Sequence, residues 1–126
     1  MIKVYIAGPI NADNAVDHLK NMHAFYKAQD RLTRDGFAPY NPAANYLLGV
    51  INGNYEYDDY AEAHIPWLKS ADVVYLLPGW EQSNGTLYEV GIARECKIPT
   101  VEEYNMLLMA RETERRETYG SRTEED

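Results

Sequence analysis

Val73-Val74-Tyr75-Leu76-Leu77-Pro78-Gly79-Trp80-Glu81-Gln82-Ser83-Asn84-Gly85-Thr86-Leu87-Tyr88-Glu89 is the stretch that decides the fold. The apolar run from Val73 to Leu77 reads as a buried strand. It breaks at Pro78-Gly79, passes through a turn of small polar residues, and leads into a helical pattern from Thr86 to Lys97 with Glu89 near its start. A carboxylate just inside a helix, at the carboxyl end of a buried strand, lies where open α/β sheets bind ligands. Ser83, Asn84, Gly85 and Thr86 are short enough for backbone amides and hydroxyls to approach a polar or anionic group.

Outward from this unit, the same alternation repeats. Ile2 to Ala7 is an apolar run closed by Gly8-Pro9, which predicts a first strand. Val16, Leu19, Met22, Phe25 and Leu32 recur at helical spacing within Asn14 to Asp35, with Asp13 or Asn14 as the cap and Gly36 as the stop. Phe37 to Tyr40 is a short second strand, and Pro39 puts it at an edge or a strand end. Asn41 to about Tyr57 reads as irregular, with room for a short helical turn around Ala43 to Leu48; a long loop in so small a domain is often functional. Asp58 to Ser70 predicts a helix kinked or broken near Pro66. Asp72 to Leu77 is the third strand and Ile98 to Val101 the fourth, and Glu102 to about Thr118 is a last helix. Its Tyr104, Leu107 and Leu108 either form an interface or cover the sheet. Residues 119–126 form a polar, acidic tail of disorder-like composition, after a single domain over residues 1–118.

Strands alternating with helices imply right-handed crossovers and a parallel sheet. The expectation is a single-domain flavodoxin- or Rossmann-like α/β three-layer sandwich, with a mostly parallel sheet of about four or five strands. The loops at Gly8, Asn41 and Gly79 then gather at the carboxyl edge and bring Tyr5, Gly8, Asn11, Asn41, Ser83 and Glu89 toward one crevice.

Composition bounds what this crevice can hold. The net charge is −8 and no basic stripe is present, which argues against duplex nucleic acid. An anionic ligand would have to be held by local amides, hydroxyls and a helix terminus against an unfavourable overall field. No apolar run is long enough to span a membrane and the N-terminus lacks a signal-peptide pattern, so a cytoplasmic setting is expected. The one cysteine, Cys96, reads as a small core residue. No zinc spacing, P-loop or Ser-His-Asp pattern is present, and neither a metal nor an organic cofactor is expected. Eleven Tyr against two Phe suggests that some rings line a polar pocket, though ordinary half-buried tyrosines would look the same.

Glu89 is the leading chemical candidate, because a carboxylate in a helix that otherwise reads as buried needs a reason to be there. The plain alternative is an exposed glutamate without a role. Ser83 either binds an anion or caps the helix, and both can hold together. Trp80 either stacks on a planar ligand or packs over the sheet edge. Asn11 and Asn41 either contact a ligand or do ordinary turn work.

Three segments in this order resemble the nucleoside 2-deoxyribosyltransferase superfamily, which includes deoxynucleoside 5'-monophosphate N-glycosidases. They are Tyr5-Ile6-Ala7-Gly8-Pro9, Trp67-Leu68-Lys69-Ser70-Ala71-Asp72 and Ser83-Asn84-Gly85-Thr86-Leu87-Tyr88-Glu89-Val90-Gly91. The Ala-Gly-Pro start and the loop Leu77-Pro78-Gly79-Trp80-Glu81 are similar to a small branch common in phage genomes, and the likeness covers about residues 2–101. The resemblance implies that Glu89 attacks the anomeric carbon of the sugar, that Tyr5 orients it through its hydroxyl, and that a covalent glycosyl-enzyme is resolved by water or by a second base. It implies that Ser83 binds a 5'-phosphate, with Gly8, Asn11, Trp80, Asn84 and Gly85 around the substrate. It also implies a homo-oligomer, in a bacterial or phage-infected cytosol. Two departures stand out. The first loop reads Gly8-Pro9-Ile10-Asn11 where the nucleotide-cleaving members carry an arginine, and His64 stands where the family has an aspartate. His64 either donates a proton to the leaving base or is structural; Asp58 and Asp59 either supply a carboxylate or cap their helix. A non-catalytic nucleotide-binding module is the alternative from another class.

Overall fold

A computed structural model describes the backbone of residues 1–53 and 57–125, and the side chains of residues 1–53 and 61–118. The elements run β1 (Lys3–Ala7), α1 (Ala15–Arg34), β2 (Ala38–Tyr40), α2 (Ala43–Asn52), α3 (Tyr57–Lys69), β3 (Val73–Leu76), α4 (Asn84–Glu95), β4 (Thr100–Val101) and α5 (Tyr104–Glu125), with a short 3-10 turn at Trp80–Gln82 before α4. All pairings are parallel, in the order β2-β1-β3-β4. This is the expected α/β sandwich, with four strands.

Side-chain alternation along β1 divides the core into two halves. Val4 and Ile6 pack with Phe25, Ala28 and Leu32 of α1 and with Tyr104 and Leu107 of α5. Tyr5 and Ala7 face the other way, toward Leu68 of α3 and Val90 and Ala93 of α4. Each fully buried Phe or Leu contributes roughly 2 kcal/mol. Tyr104 and Leu107 therefore cover the sheet. No helix among the described residues is long and apolar enough to cross a membrane.

Several boundaries differ from the sequence reading. The region after Asn41 is a ten-residue helix, α2, rather than a loop with one turn. Asn41 starts it by accepting the Ala43 amide at 2.9 Å, and Ala43 and Tyr46 anchor it in the core. α3 continues through Pro66 without a break. The fully buried Leu68 holds its last turn, and the Ser70 amide bonds the Pro66 carbonyl at 3.2 Å. α4 begins at Asn84, ahead of Thr86, because Ser83 caps it. Cys96 is exposed, not in the core: it ends α4, and the chain turns away at Lys97 with φ 59°. The backbone of α5 stays helical past Thr118, to Glu125.

Candidate functional site

β1 and β3 are neighbours in the sheet, yet the chain leaves them toward opposite faces, into α1 and α4. That is the topological switch at which open sheets form a crevice. Gly8 lets the two strand ends meet: a Cβ there would lie 2.8 Å from the Leu77 Cβ. Gly79 turns the chain at φ 86°, in the left-handed region that glycine adopts without penalty. Ser83 then caps α4, its Oγ accepting the Thr86 amide at 3.3 Å.

A polar cleft of about 730 Å³ opens at this switch, lined among others by Gly8, Asn11, Asp13, Asp17, Ser83, Asn84 and Gly85. The first amides of α4 point out of the helix and give this wall a partial positive charge. Asp13 and Asp17 supply negative charge from the opposite wall, and none of the described lining residues is Lys or Arg. Asn11 is tied to α2, since its Oδ1 accepts the Tyr46 hydroxyl at 2.9 Å.

Glu89 follows Gly85 by one helical turn and faces the sheet rather than the cleft wall. It is 9% exposed, and its carboxylate accepts the hydroxyl of Tyr5, itself fully buried on β1. Burial pushes the Glu89 carboxyl from 4.5 up to about 7, and the Tyr5 hydrogen bond works in the opposite direction by favouring the charged form. A buried carboxylate that titrates near neutral pH, held by one directed donor, can act as nucleophile or as proton carrier.

His64, on α3, is 4% exposed, and its Nε2 has no hydrogen-bond partner among the described residues. Its ring meets the edge of Tyr40 at 6.3 Å. Burial lowers its pKa below the usual 6.5, so the imidazole is neutral at pH 7. Thr86, buried on α4, also has an Oγ without a hydrogen-bond partner among the described residues.

The residues singled out in the sequence thus fall into two adjoining groups. Gly8, Asn11, Ser83, Asn84 and Gly85 line the cleft. Tyr5 and Glu89 form a pair in the layer between sheet and α4, and His64 reaches that layer from α3 through Tyr40. Trp80 is outside the cleft lining; it packs on the Tyr5 side of the core and donates its Nε1 to Glu102. Asn41 does structural work, donating to Gln29 at 3.0 Å and accepting the Ala43 amide at the start of α2. Asp72 accepts the Lys3 amide at 2.8 Å, a strand-start contact. The side chains of Asp58 and Asp59 lie outside the described residues.

Three residues that the sequence reading did not single out adjoin the site: Tyr40, Asn45 and Tyr46. Tyr40 stacks on Tyr5, Asn45 bonds the Tyr40 hydroxyl at 3.4 Å, and Tyr46 holds Asn11. The tyrosine-rich composition was the one signal that pointed toward them.

The family described as Domain of unknown function (DUF4406) has a model that matches residues 2–102, and the chain belongs to that family. No curated protein matches it.

Proposed function

We propose that this DUF4406 protein cleaves the N-glycosidic bond of a deoxynucleoside 5'-monophosphate through a covalent glycosyl ester on Glu89. The observation that carries the reading is the buried Tyr5–Glu89 pair, one helical turn from the α4 N-terminus that borders the cleft at the β1/β3 switch. The sequence likeness to nucleoside deoxyribosyltransferases points the same way.

In the first step a Glu89 carboxylate oxygen bonds C1' while the C1'–N bond breaks. The bonding pair leaves with the base, which takes up a proton. Tyr5 holds the carboxylate toward the sugar and favours its ionised form. In the second step water bonds C1', loses a proton to solvent, breaks the C1'–O bond to release Glu89 as the carboxylate, and gives the sugar phosphate with retained configuration. The 5'-phosphate is assigned to the α4 N-terminus, with amides from Asn84 and Gly85 and the Ser83 hydroxyl as donors. The proton on the departing base comes from solvent; His64 could supply it only as imidazolium, the form that burial disfavours.

A second reading, base exchange on free nucleosides, is favoured by one observation: Asp13 and Asp17 line the cleft while no described lining residue is cationic. An uncharged 5'-hydroxyl suits such a wall better than a phosphate does. Both readings carry with them a cytoplasmic setting and a homo-oligomer.

Incubation with deoxynucleoside monophosphates, and separately with nucleosides, with and without a second free base, tests the proposal. Free base plus sugar phosphate supports hydrolysis of nucleotides; a new nucleoside supports exchange. No turnover on any nucleoside or nucleotide would leave a nucleotide-binding role and overturn both.

A further inference from the structure

Tyr40 lies on β2 directly beside Tyr5, to which it is paired in the sheet register. Its ring stacks on Tyr5 at 5.5 Å and 17°. On its other side it stacks on Trp67 of α3, at 5.5 Å and 14°. Asn45 of α2 donates to its hydroxyl at 3.4 Å, and the hydroxyl lies close enough to Glu89 to feel its charge. Three rings from two strands and a helix thus form one continuous stack, and Tyr5, the ring at its inner end, carries the hydrogen bond to Glu89.

A phenol that must aim one hydrogen at one carboxylate oxygen needs its ring plane fixed, because the hydrogen bond weakens steeply when its angle opens. Parallel strands bring Tyr5 and Tyr40 to the same face, and offset stacking is the favourable contact between them. We infer that Tyr40, sandwiched between Tyr5 and Trp67, is a positioning residue that fixes the Tyr5 ring and through it the orientation of the Glu89 carboxylate. Tyr40 acts through its ring rather than its hydroxyl. This inference rests on the reading of Glu89 as the reacting carboxylate, but its physical content is testable without turnover.

Among the described residues, the titratable groups facing this layer are the phenols of Tyr5 on β1 and Tyr40 on β2, the imidazole of His64 on α3, and Glu89 itself on α4. A direct readout is the Glu89 titration, followed by carboxyl-carbon NMR of protein labelled at glutamate and assigned by its loss in Glu89→Gln. Tyr40→Phe keeps the stack and is expected to leave the midpoint within about 0.2 pH units of the unsubstituted protein. Tyr40→Leu removes the stack, loosens the Tyr5 hydrogen bond, and is expected to raise the midpoint by about 0.5 to 1 pH unit, in the same direction as Tyr5→Phe. Trp67→Leu, at a position 58% exposed, is expected to raise it as well and answers the question if Tyr40→Leu does not fold. Unmoved midpoints in the leucine variants, alongside a moved one in Tyr5→Phe, would overturn the inference. So would a shift in Tyr40→Phe as large as in Tyr40→Leu, which would make the phenol a direct partner. Moved midpoints in a protein without turnover keep the positioning role and remove the enzymatic reading; turnover through Glu89 with unmoved midpoints removes the positioning role alone.

Discussion

The hydroxyl of Tyr5 donates to the carboxylate of Glu89 across 84 positions of sequence, joining the central strand to the helix that begins at the cleft. The pair sits inside the fold with both partners nearly or fully buried. A carboxylate in such a place is unfavourable when charged, so the hydrogen bond and the low exposure act against each other on one group.

Glu89→Gln separates an enzyme from a binder. Turnover of the nucleoside or nucleotide is expected to fall by at least about a thousandfold, because no nucleophile remains. Substrate affinity, measured by calorimetry on the variant, is expected to change by less than about tenfold.

The same substitution has a signature in stability. The folded-state pKa of Glu89 is raised from 4.5 to about 7, so its contribution is fully present below pH 4.5 and is lost as pH rises through about 7. The stability of Glu89→Gln relative to the unsubstituted protein is expected to increase by about 3 kcal/mol from pH 4 to pH 8. His64, whose folded pKa is lowered, acts in the opposite sense, but it is common to both proteins and cancels in the difference. Urea unfolding at a series of pH values measures it.

Activity that needs an ionised Glu89 rises with pH through about 7. In Tyr5→Phe the bond that favours the charged form is gone, and the acidic limb of the kcat/KM profile is expected to move to higher pH. A limb that moves down, or stays, would contradict the assigned role of Tyr5.

Ser83→Ala removes the α4 cap and is expected to cost about 1 kcal/mol of stability. If the phosphate lies at this terminus, KM for a nucleotide is expected to rise about tenfold with KM for the matching nucleoside unchanged. Equal effects on both would move the phosphate elsewhere.

Gly8→Ala is expected to destabilise the protein by roughly 1 to 3 kcal/mol, because its Cβ would lie 2.8 Å from the Leu77 Cβ, which cannot swing away as the end of a flexible side chain can. Thermal unfolding reads the loss.

The alternation of apolar runs with helical periodicity made the sheet and four of the five helices legible, because a central parallel strand is apolar on both faces. Only the first turn of α2, around Ala43 to Leu48, was legible, because Gly49, Asn52 and Gly53 are residues of turns and loops and made the rest read as irregular. Glu89 was legible as a carboxylate out of place in a buried helix. The split between cleft and buried pair was not, because it depends on which face of α4 each residue takes relative to the sheet. Tyr40 was hidden for a related reason: a three-residue edge strand gives no periodicity, and its stacking partners come from β1 and α3.

α2 grips both halves of the site. Through Tyr46 it holds Asn11 at the cleft, and through Asn45 it holds Tyr40 in the stack. The cleft and the aromatic stack therefore share one mechanical support. A substitution that shifts α2 along its axis would disturb what the crevice accepts and how the carboxylate responds to protons in the same stroke.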